Sequence, residues 1–293
     1  MNDILWKFKN QVLASLVAPL FALCPVIAQN APVAVKTTPY TLLYVFGDSY
    51  SDSGSGYVDC NGPTAVVYLA RRLSIPFTYY GDPQSMGKGL NFAVSAAQTG
   101  EDPGRRFPAG MFFALGMKNQ VDNFVHFSKR GYIPKIDPQN TMFFFAGGLN
   151  DEDRPDGFTR TNIESEIETL YEVGARRFMV AVLPEKIPAF AALGTKLNQE
   201  LKRIPDEERA KHADIRISNS QWGAFFDEVI MNPSNYGFRN TIDFCARRSF
   251  SNEPVKACAE PGTYFYYHEA HPSTAAHRAV GEMLYQEAIT SAP

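Results

Sequence analysis

The chain has 293 residues, of which 45% are hydrophobic and 20% are charged, a composition that suits one large α/β domain or two smaller globular domains. Its formal net charge of −3 at pH 7 and its lack of a long basic run argue against a nucleic-acid partner.

The N-terminal segment differs in composition from the rest of the chain. Two lysines precede an uncharged stretch over residues 12–28 that ends in the small residue Ala28, the pattern of a secretory signal peptide. The stretch is shorter than the roughly 20 apolar residues that a membrane-spanning helix needs. We therefore predict a secreted, extracellular protein with no stable membrane span. The predicted organisation is a signal peptide over residues 1–28, a linker over residues 29–40 and a single domain over residues 41–293.

Apolar runs of strand length alternate with helical patterns along the predicted domain. The run at residues 141–146 is almost entirely apolar, as expected for a parallel strand that is covered on both faces. The alternation predicts an α/β fold with a mostly parallel open sheet and helices on both faces. The predicted strands are residues 41–46, 90–97, 141–146, 177–183 and 214–217, and the predicted helices are residues 65–73, 117–127, 163–173, 195–202, 221–230 and 274–289.

Polar residues follow three of the predicted strands at the points where the apolar runs end. Ser49 comes after the first strand, Ser95 and Ala96 close the second, and Asn150 follows the third. Because the carboxyl ends of parallel strands meet at one edge of a sheet, we expect these residues to converge. His271 precedes the last predicted helix and can reach the same edge.

The residue types at this edge suit acyl transfer. The Ser49 hydroxyl can attack an acyl carbon, and His271 can accept its proton. The Asn150 amide is an uncharged donor for a developing oxyanion, and the backbone N–H groups of Ser49 and Ala96 are further donors. The sequence therefore predicts a serine nucleophile with a histidine base and an oxyanion hole.

The chain resembles the GDSL (SGNH-hydrolase) family of esterases and lipases. Four segments, in the order that the family has them, carry the resemblance: Phe46–Asp52, Asn91–Ala97, Gly148–Asp151 and His271–Ser273. The resemblance implies a three-layer α/β/α, flavodoxin-like fold and hydrolysis of carboxylic esters without a cofactor or metal. It also implies Ser49 as the nucleophile, His271 as the base, and an oxyanion hole formed by Ser49, Ala96 and Asn150.

Two positions depart from the family pattern. Ala96 stands where the family has a glycine, which keeps the N–H group but restricts positive φ. His268 stands where the family has an aspartate, three residues before His271, and Glu269 is the nearest carboxylate. In an extended segment Glu269 would share a face with His271, which predicts that Glu269→Gln costs more activity than His268→Ala. The alternatives are a backbone carbonyl that orients His271, or a catalytic pair of Ser49 and His271 with no third residue.

Other functions remain open at this point. The histidines His268 and His271, with Asp48 and Asn150, leave a metal-dependent phosphoesterase possible, although a zinc-binding helix spaces its histidines four apart. A carbohydrate acetylesterase of the same family and a non-catalytic secreted binding module are the remaining alternatives. The expected partner is a small-molecule, lipid or polysaccharide ester. Residues 106–113 can line an apolar acyl pocket or belong to the core, so the sequence does not choose among these substrates.

The cysteines carry a further expectation. Cys24 would leave with the signal peptide, so Cys60, Cys245 and Cys258 remain. Two cysteines pair readily in an oxidising compartment, and Cys245 and Cys258 are the preferred pair because they are close in sequence. Three buried thiols are the alternative.

Overall fold

A computed structural model describes residues 39–106, 112–247 and 256–290 of the chain. The predicted signal peptide, and all but the last two residues of the predicted linker, lie outside the described residues. None of the helices described there has the length and apolar character needed to cross a membrane.

The central sheet has six strands in the order β2-β3-β1-β6-β7-β8, and every pairing in it is parallel. The strands in chain order are β1 (Leu42–Gly47), β2 (Phe77–Tyr79), β3 (Gly89–Asn91), β4 (Pro103–Arg106), β5 (Phe112–Leu115), β6 (Thr141–Ala146), β7 (Arg177–Ala181), β8 (Arg216–Ser220), β9 (Asn240–Phe244), β10 (Tyr264–His268) and β11 (His271–Pro272).

Helices pack in two groups around this sheet. The helices α1 and α6 both contact α7, whereas α3 contacts α2, α4 and α5, so the predicted α/β fold with a mostly parallel sheet is confirmed. The helices are α1 (Ala65–Arg72), α2 (Met117–Lys129), α3 (Phe158–Glu172), α4 (Ala191–Leu201), α5 (Ile204–Lys211), α6 (Trp222–Met231) and α7 (Thr274–Thr290), with 3-10 turns at Pro233–Tyr236 and Pro261–Thr263.

Aromatic packing holds the centre of the sheet. All six residues of β6 are buried, and β6 pairs with β1 along its whole length. The Phe145 ring lies 5.3 Å from Phe46, and Phe124 on α2 lies 4.7 Å from Tyr44, distances at which aromatic pairs stabilise a core beyond their buried area. This packing fixes the ends of β1 and β6 side by side.

One buried polar clamp lies at the end of β1. The Gln120 side chain on α2 accepts a hydrogen bond from the Gly47 N–H (3.0 Å) and donates one to the Gly47 carbonyl (2.9 Å). Gln120 is fully buried, so these bonds also satisfy its amide. The last residue before the Ser49 turn is thereby held from both its backbone groups.

Two small sheets lie outside the central one. The antiparallel pair β4-β5 and the three-stranded sheet β11-β10-β9 were not predicted from the sequence, because their strands are short and lack a clear alternation. The turn between β10 and β11 joins His268 to His271, which are paired across it. The predicted disulfide is confirmed: Cys245 is bonded to Cys258 just after β9, with Cα atoms 4.9 Å apart.

The second predicted strand is wrong in its length. Residues 90–97 read as one apolar run, but β3 ends at Asn91. Beyond it the Asn91 side chain accepts a hydrogen bond from the Ala93 N–H at 3.1 Å, a local bond that competes with the strand ladder. The remaining residues therefore form a turn, which is where Ser95 and Ala96 lie.

Gly47→Ala tests the close approach of β1 and β6. A Cβ at residue 47 would lie 2.4 Å from the Ala146 carbonyl oxygen, and this strand backbone cannot move away freely. We expect the free energy of unfolding to fall by about 1–3 kcal/mol, measured by urea denaturation. Gly262→Ala is the matched control, because its Cβ meets nothing within 4 Å. Equal stability of the two variants would contradict the packing argument.

Candidate active site

Ser49 and His271 meet at the carboxyl edge of the central sheet. Ser49 follows β1, and His271 begins β11 after the turn that closes the small C-terminal sheet. The Ser49 Oγ lies 2.8 Å from His271 Nε2, a hydrogen-bond distance. The pair joins residues 222 positions apart in the chain, and the His271 side chain is nearly buried.

A backbone carbonyl holds the other nitrogen of the His271 ring. His271 Nδ1 lies 2.7 Å from the Glu269 carbonyl oxygen. A carbonyl can only accept, so Nδ1 carries the proton of the neutral ring and Nε2 presents its lone pair to the Ser49 hydroxyl. This tautomer is the one that can take a proton from serine.

The Glu269 side chain has no part in that contact. Its carboxylate is exposed to solvent, and it is the carbonyl of Glu269 that reaches His271. Of the alternatives that the sequence left open, the geometry supports the backbone carbonyl. It gives no support to the expectation that Glu269→Gln costs more activity than His268→Ala.

Tyr50 ties the serine turn to the histidine turn. Its hydroxyl donates a hydrogen bond to the Ala270 carbonyl, and its ring centroid lies 5.5 Å from both His271 and Trp222. Burial raises the pKa of Tyr50 well above its ordinary value, so the hydroxyl stays protonated and donates. Ala270 has a positive φ of 55°, a strained backbone that persists when its surroundings hold it.

Three hydrogen-bond donors lie at the turns beside Ser49. Within the described part of the chain, neither the Ser49 N–H nor the Ala96 N–H has an acceptor. Ala96 adopts φ 63°, so it takes the left-handed conformation that a glycine would adopt more easily. The Asn150 amide donates one hydrogen to the Ala97 carbonyl at 2.9 Å and has a second hydrogen to offer.

Asp52, which the sequence analysis did not select, braces the turn that carries Ala96. Its Oδ2 accepts from the Ser95 N–H at 2.8 Å, and its Oδ1 accepts from the N–H groups of Gly54 and Gly56 at 2.9 and 3.1 Å. Burial raises the pKa of Asp52 to about 6, and these hydrogen bonds counteract part of that rise. The residue before Ala96 is thus fixed by a carboxylate from the Ser49 turn.

Asp151 joins the turns after β3 and β6. It accepts from the Thr99 N–H (3.1 Å), the Thr99 hydroxyl (2.6 Å) and the Thr159 hydroxyl (2.7 Å). Since Asp151 follows Asn150 directly, these bonds fix the position of Asn150 relative to Ala97. Of the Asn-Asp pair recognised in the sequence, Asn150 therefore offers a hydrogen-bond donor to the site, and Asp151 fixes the turns around it.

Asp59 is a second carboxylate at the site that sequence reasoning missed. It is 2% exposed and accepts a hydrogen bond from the Ser95 hydroxyl at 2.8 Å. One oxygen lies 3.7 Å from His271 Nε2 and the other 3.7 Å from His268 Nδ1. Asp59 stands in a loop rich in Gly, Ser and Asp, where no spacing distinguishes it, so no signal in the sequence marks it.

His271 is not arranged as a metal ligand. His271 Nδ1 faces a carbonyl and must carry a proton there, and its Nε2 faces the Ser49 hydroxyl. Both nitrogens of this ring are therefore engaged, whereas a ligand needs a free lone pair. The geometry thus gives no support to the phosphoesterase alternative. Among the described residues, potential ligand atoms do gather elsewhere, at Glu168 on α3, Glu208 on α5 and His212 just after α5.

An apolar cavity of about 200 Å³ adjoins the histidine turn. Its walls include Glu269 and Ala270 from that turn. The other lining residues are mainly apolar: Ile187, Pro188, Ala189, Ile242, Phe244 and Tyr266. Residues 107–111 of the segment predicted as an acyl pocket or core lie outside the described part of the chain, whereas Arg106 and Phe112 line a separate cavity of about 300 Å³.

Known proteins resemble this chain over most of its length. The thermolabile hemolysin of Vibrio parahaemolyticus is 25% identical over 86% of this chain, which spans 64% of the hemolysin. A GDSL esterase/lipase of Arabidopsis thaliana is 24% identical, with 96% of each chain covered. A solved structure from the lipolytic G-D-S-L family of Veillonella parvula aligns with a TM-score of 0.45 at 13% identity, covering 83% of this chain and 96% of that one.

The family itself follows from a match that spans most of the chain. The sequence model of GDSL-like lipases and acylhydrolases matches residues 43–284, a range that contains Ser49, Ala96, Asn150 and His271. This chain therefore belongs to the GDSL-like lipase/acylhydrolase family of carboxylic ester hydrolases.

Proposed function

We propose that this protein hydrolyses carboxylic esters through an acyl-enzyme on Ser49, with His271 as the base. The observation that carries the proposal is the 2.8 Å contact between Ser49 Oγ and the Nε2 of a histidine whose Nδ1 is held by a carbonyl. A serine is a weak nucleophile until an adjacent base takes its proton. This contact supplies that base in the required tautomer.

The first half of the reaction forms the acyl-enzyme. His271 Nε2 takes the hydroxyl proton as Ser49 Oγ attacks the ester carbonyl carbon, and the carbonyl oxygen becomes an oxyanion. The N–H groups of Ser49 and Ala96 and the Asn150 amide donate hydrogen bonds to this oxyanion and stabilise its negative charge. The C–O bond to the alcohol then breaks, and the imidazolium returns the proton to the departing alcohol oxygen.

The second half releases the acid. Water takes the place of the alcohol, and His271 accepts one of its protons as the water oxygen attacks the acyl carbon. The same three donors stabilise the second oxyanion by hydrogen bonds. Breakdown of this intermediate frees the carboxylic acid and returns the proton to Ser49 Oγ, so the enzyme is regenerated without a cofactor.

We further propose secretion and a substrate with an apolar part. The Cys245–Cys258 disulfide supports secretion, because such bonds persist in oxidising compartments, and so does the signal-like pattern at the N-terminus. The apolar cavity beside Ala270 supports an ester with an apolar acyl or alcohol group, because apolar surface is buried favourably against such walls.

Ser49→Ala tests the nucleophile. We expect hydrolysis of p-nitrophenyl acetate to fall roughly 10³-fold or more, because no hydroxyl remains to form the acyl-enzyme, while the unfolding transition is unchanged. A fluorophosphonate probe should label Ser49 in the native protein. Ser53→Ala is the matched control, since its hydroxyl accepts from Asn91 and lies outside the proposed chemistry. Labelling of Ser51 or Ser53 would contradict the assignment.

Asn150→Ala tests the oxyanion hole. Loss of one such donor lowers kcat by roughly 10²–10³, because the donor acts on charge that appears only in the transition state. Steady-state kinetics on the same ester measures this. Asn140→Ala is the control, because that residue lies at the opposite end of β6, where its side chain bonds Asp137. A change confined to KM would show that Asn150 only binds substrate.

Glu269→Gln tests the carbonyl that orients His271. The substitution removes the carboxylate and keeps the backbone oxygen 2.7 Å from His271 Nδ1, so we expect kcat close to that of the native protein. The measurement is kcat across the neutral pH range. A loss as large as that of Asn150→Ala would mean that the side chain, and not the carbonyl, serves His271.

A further inference from the structure

We propose that Asp59 provides the negative charge that stabilises the His271 imidazolium, while the Glu269 carbonyl fixes the orientation of the ring. Asp59 would then be a positioning residue that acts only through His271, by stabilising the proton that the His271 ring accepts from Ser49. This inference rests on the proposed serine hydrolase function and assigns a role that neither His268 nor the Glu269 carboxylate fills.

The need for such a charge follows from the contacts of His271. When its ring takes the Ser49 proton it becomes a cation in a site where it is only 8% exposed, and burial disfavours a charged group. The Glu269 carbonyl is a dipole without net charge, so it fixes the tautomer but compensates the cation only in part. In a serine hydrolase triad a single carboxylate performs both tasks.

The position of Asp59 suits stabilisation of the positive charge on His271, but not orientation of the ring. Its Oδ2 lies 3.7 Å from His271 Nε2, which is too long for a hydrogen bond but close for two opposite charges in a buried site. It faces Nε2, the nitrogen that acquires the proton, whereas a triad carboxylate faces Nδ1. The carboxylate therefore stabilises the charged ring without taking the place of the Ser49 hydroxyl.

The Ser95 hydroxyl keeps this carboxylate in position. It donates to Asp59 Oδ2 at 2.8 Å, and the Ser95 N–H is held by Asp52 at 2.8 Å. The charge beside His271 is thus attached to the same turn that presents the Ala96 N–H. Base and oxyanion donors are fixed relative to each other by one short segment.

His268 shares the carboxylate with His271. It stands where the family has its aspartate, and its Nδ1 lies 3.7 Å from Asp59 Oδ1. Each oxygen of Asp59 thus faces one imidazole. The family's carboxylate position is taken by a histidine in this chain, and the carboxylate arrives from the loop after β1 instead.

Two buried carboxyls of the Ser49 turn titrate in the neutral range, because burial raises the pKa of Asp48 to about 7 and that of Asp52 to about 6. His277, Tyr50 and Cys60 keep their charge state in that range. Burial lowers the pKa of His277 to about 3, so it stays neutral, and burial keeps the Tyr50 hydroxyl protonated by raising its pKa. The Cys60 thiol, next to Asp59, has its pKa raised to about 12 by burial. The acid limb of the activity profile therefore contains the titrations of Asp48 and Asp52 as well as that of His271, and the shift between the native protein and Asp59→Asn isolates the contribution of Asp59.

Asp59→Asn is the test, because it removes the charge and retains an oxygen that can accept from Ser95. A carboxylate at this distance raises the pKa of a histidine, so its removal lowers that pKa by on the order of one unit. Since His271 must be neutral to act as a base, the acid limb of kcat/KM for p-nitrophenyl acetate should move to lower pH by the same amount. The plateau should fall about tenfold or more, because a weaker base and an uncompensated cation raise the barrier.

Two variants serve as controls for Asp59→Asn. Asp59→Glu keeps the charge and should keep the acid limb near its native pH, and Asp206→Asn, at an exposed surface pair, should leave the profile unchanged. A lower plateau with an unmoved acid limb would show a merely structural role and overturn the proposal. If Asp59→Asn does not fold, NMR titration of His271 in the native protein decides: a pKa above about 6.5 supports the proposal, and a value at or below it overturns it.

Failure of the proposed function is separable from failure of this inference. If Ser49 is not the nucleophile, Ser49→Ala keeps its activity and the fluorophosphonate probe does not label it. If only the role of Asp59 is wrong, labelling of Ser49 persists in every folded variant and its rate has the same pH dependence in Asp59→Asn as in the native protein.

Discussion

The pairing of β1 with β6 is the constraint on which the site depends. These two strands align over six residue pairs, from Leu42 with Thr141 to Gly47 with Ala146, and their apolar side chains are buried on both faces of the sheet. Slippage by one residue would turn each of these side chains to the other face. The register therefore places Ser49 and Asn150, which follow the two strands by two and four residues, at the same edge of the sheet.

Buried carboxylates then convert this rough convergence into a defined geometry. Asp52, Asp59 and Asp151 each bind polar groups of the turn after β3: the Ser95 N–H, the Ser95 hydroxyl and the Thr99 N–H and hydroxyl. Bonds of this kind to charged groups are stronger than those between neutral groups. This turn has no regular secondary structure of its own, and the three carboxylates fix its conformation.

The sequence predicted what depends on local pattern. The apolar run of β6 and the polar residues at the strand ends were enough for the fold class, and four short motifs marked Ser49, Ala96, Asn150 and His271 as candidate site residues. What could not be predicted depends on contacts between distant segments. Asp59 approaches His271 only because the loop after β1 folds back on the C-terminal hairpin. The choice of the Glu269 carbonyl over its carboxylate depends on a turn conformation, with Ala270 at φ 55°, that residue types do not specify.

The bond from the Tyr50 hydroxyl to the Ala270 carbonyl has a consequence for how the protein loses its activity. It links the residue after Ser49 to the residue before His271, so the two residues of the proposed catalytic pair are tied together by a bond one position away from each of them. The hairpin on one side of this bond carries Phe265, which is fully buried in the hydrophobic core, and the Tyr50 side is anchored in the same core. Only elements with few buried contacts open before the core does. Heat or denaturant should thus release the histidine turn only when the core itself opens, and activity would be lost together with the global unfolding transition.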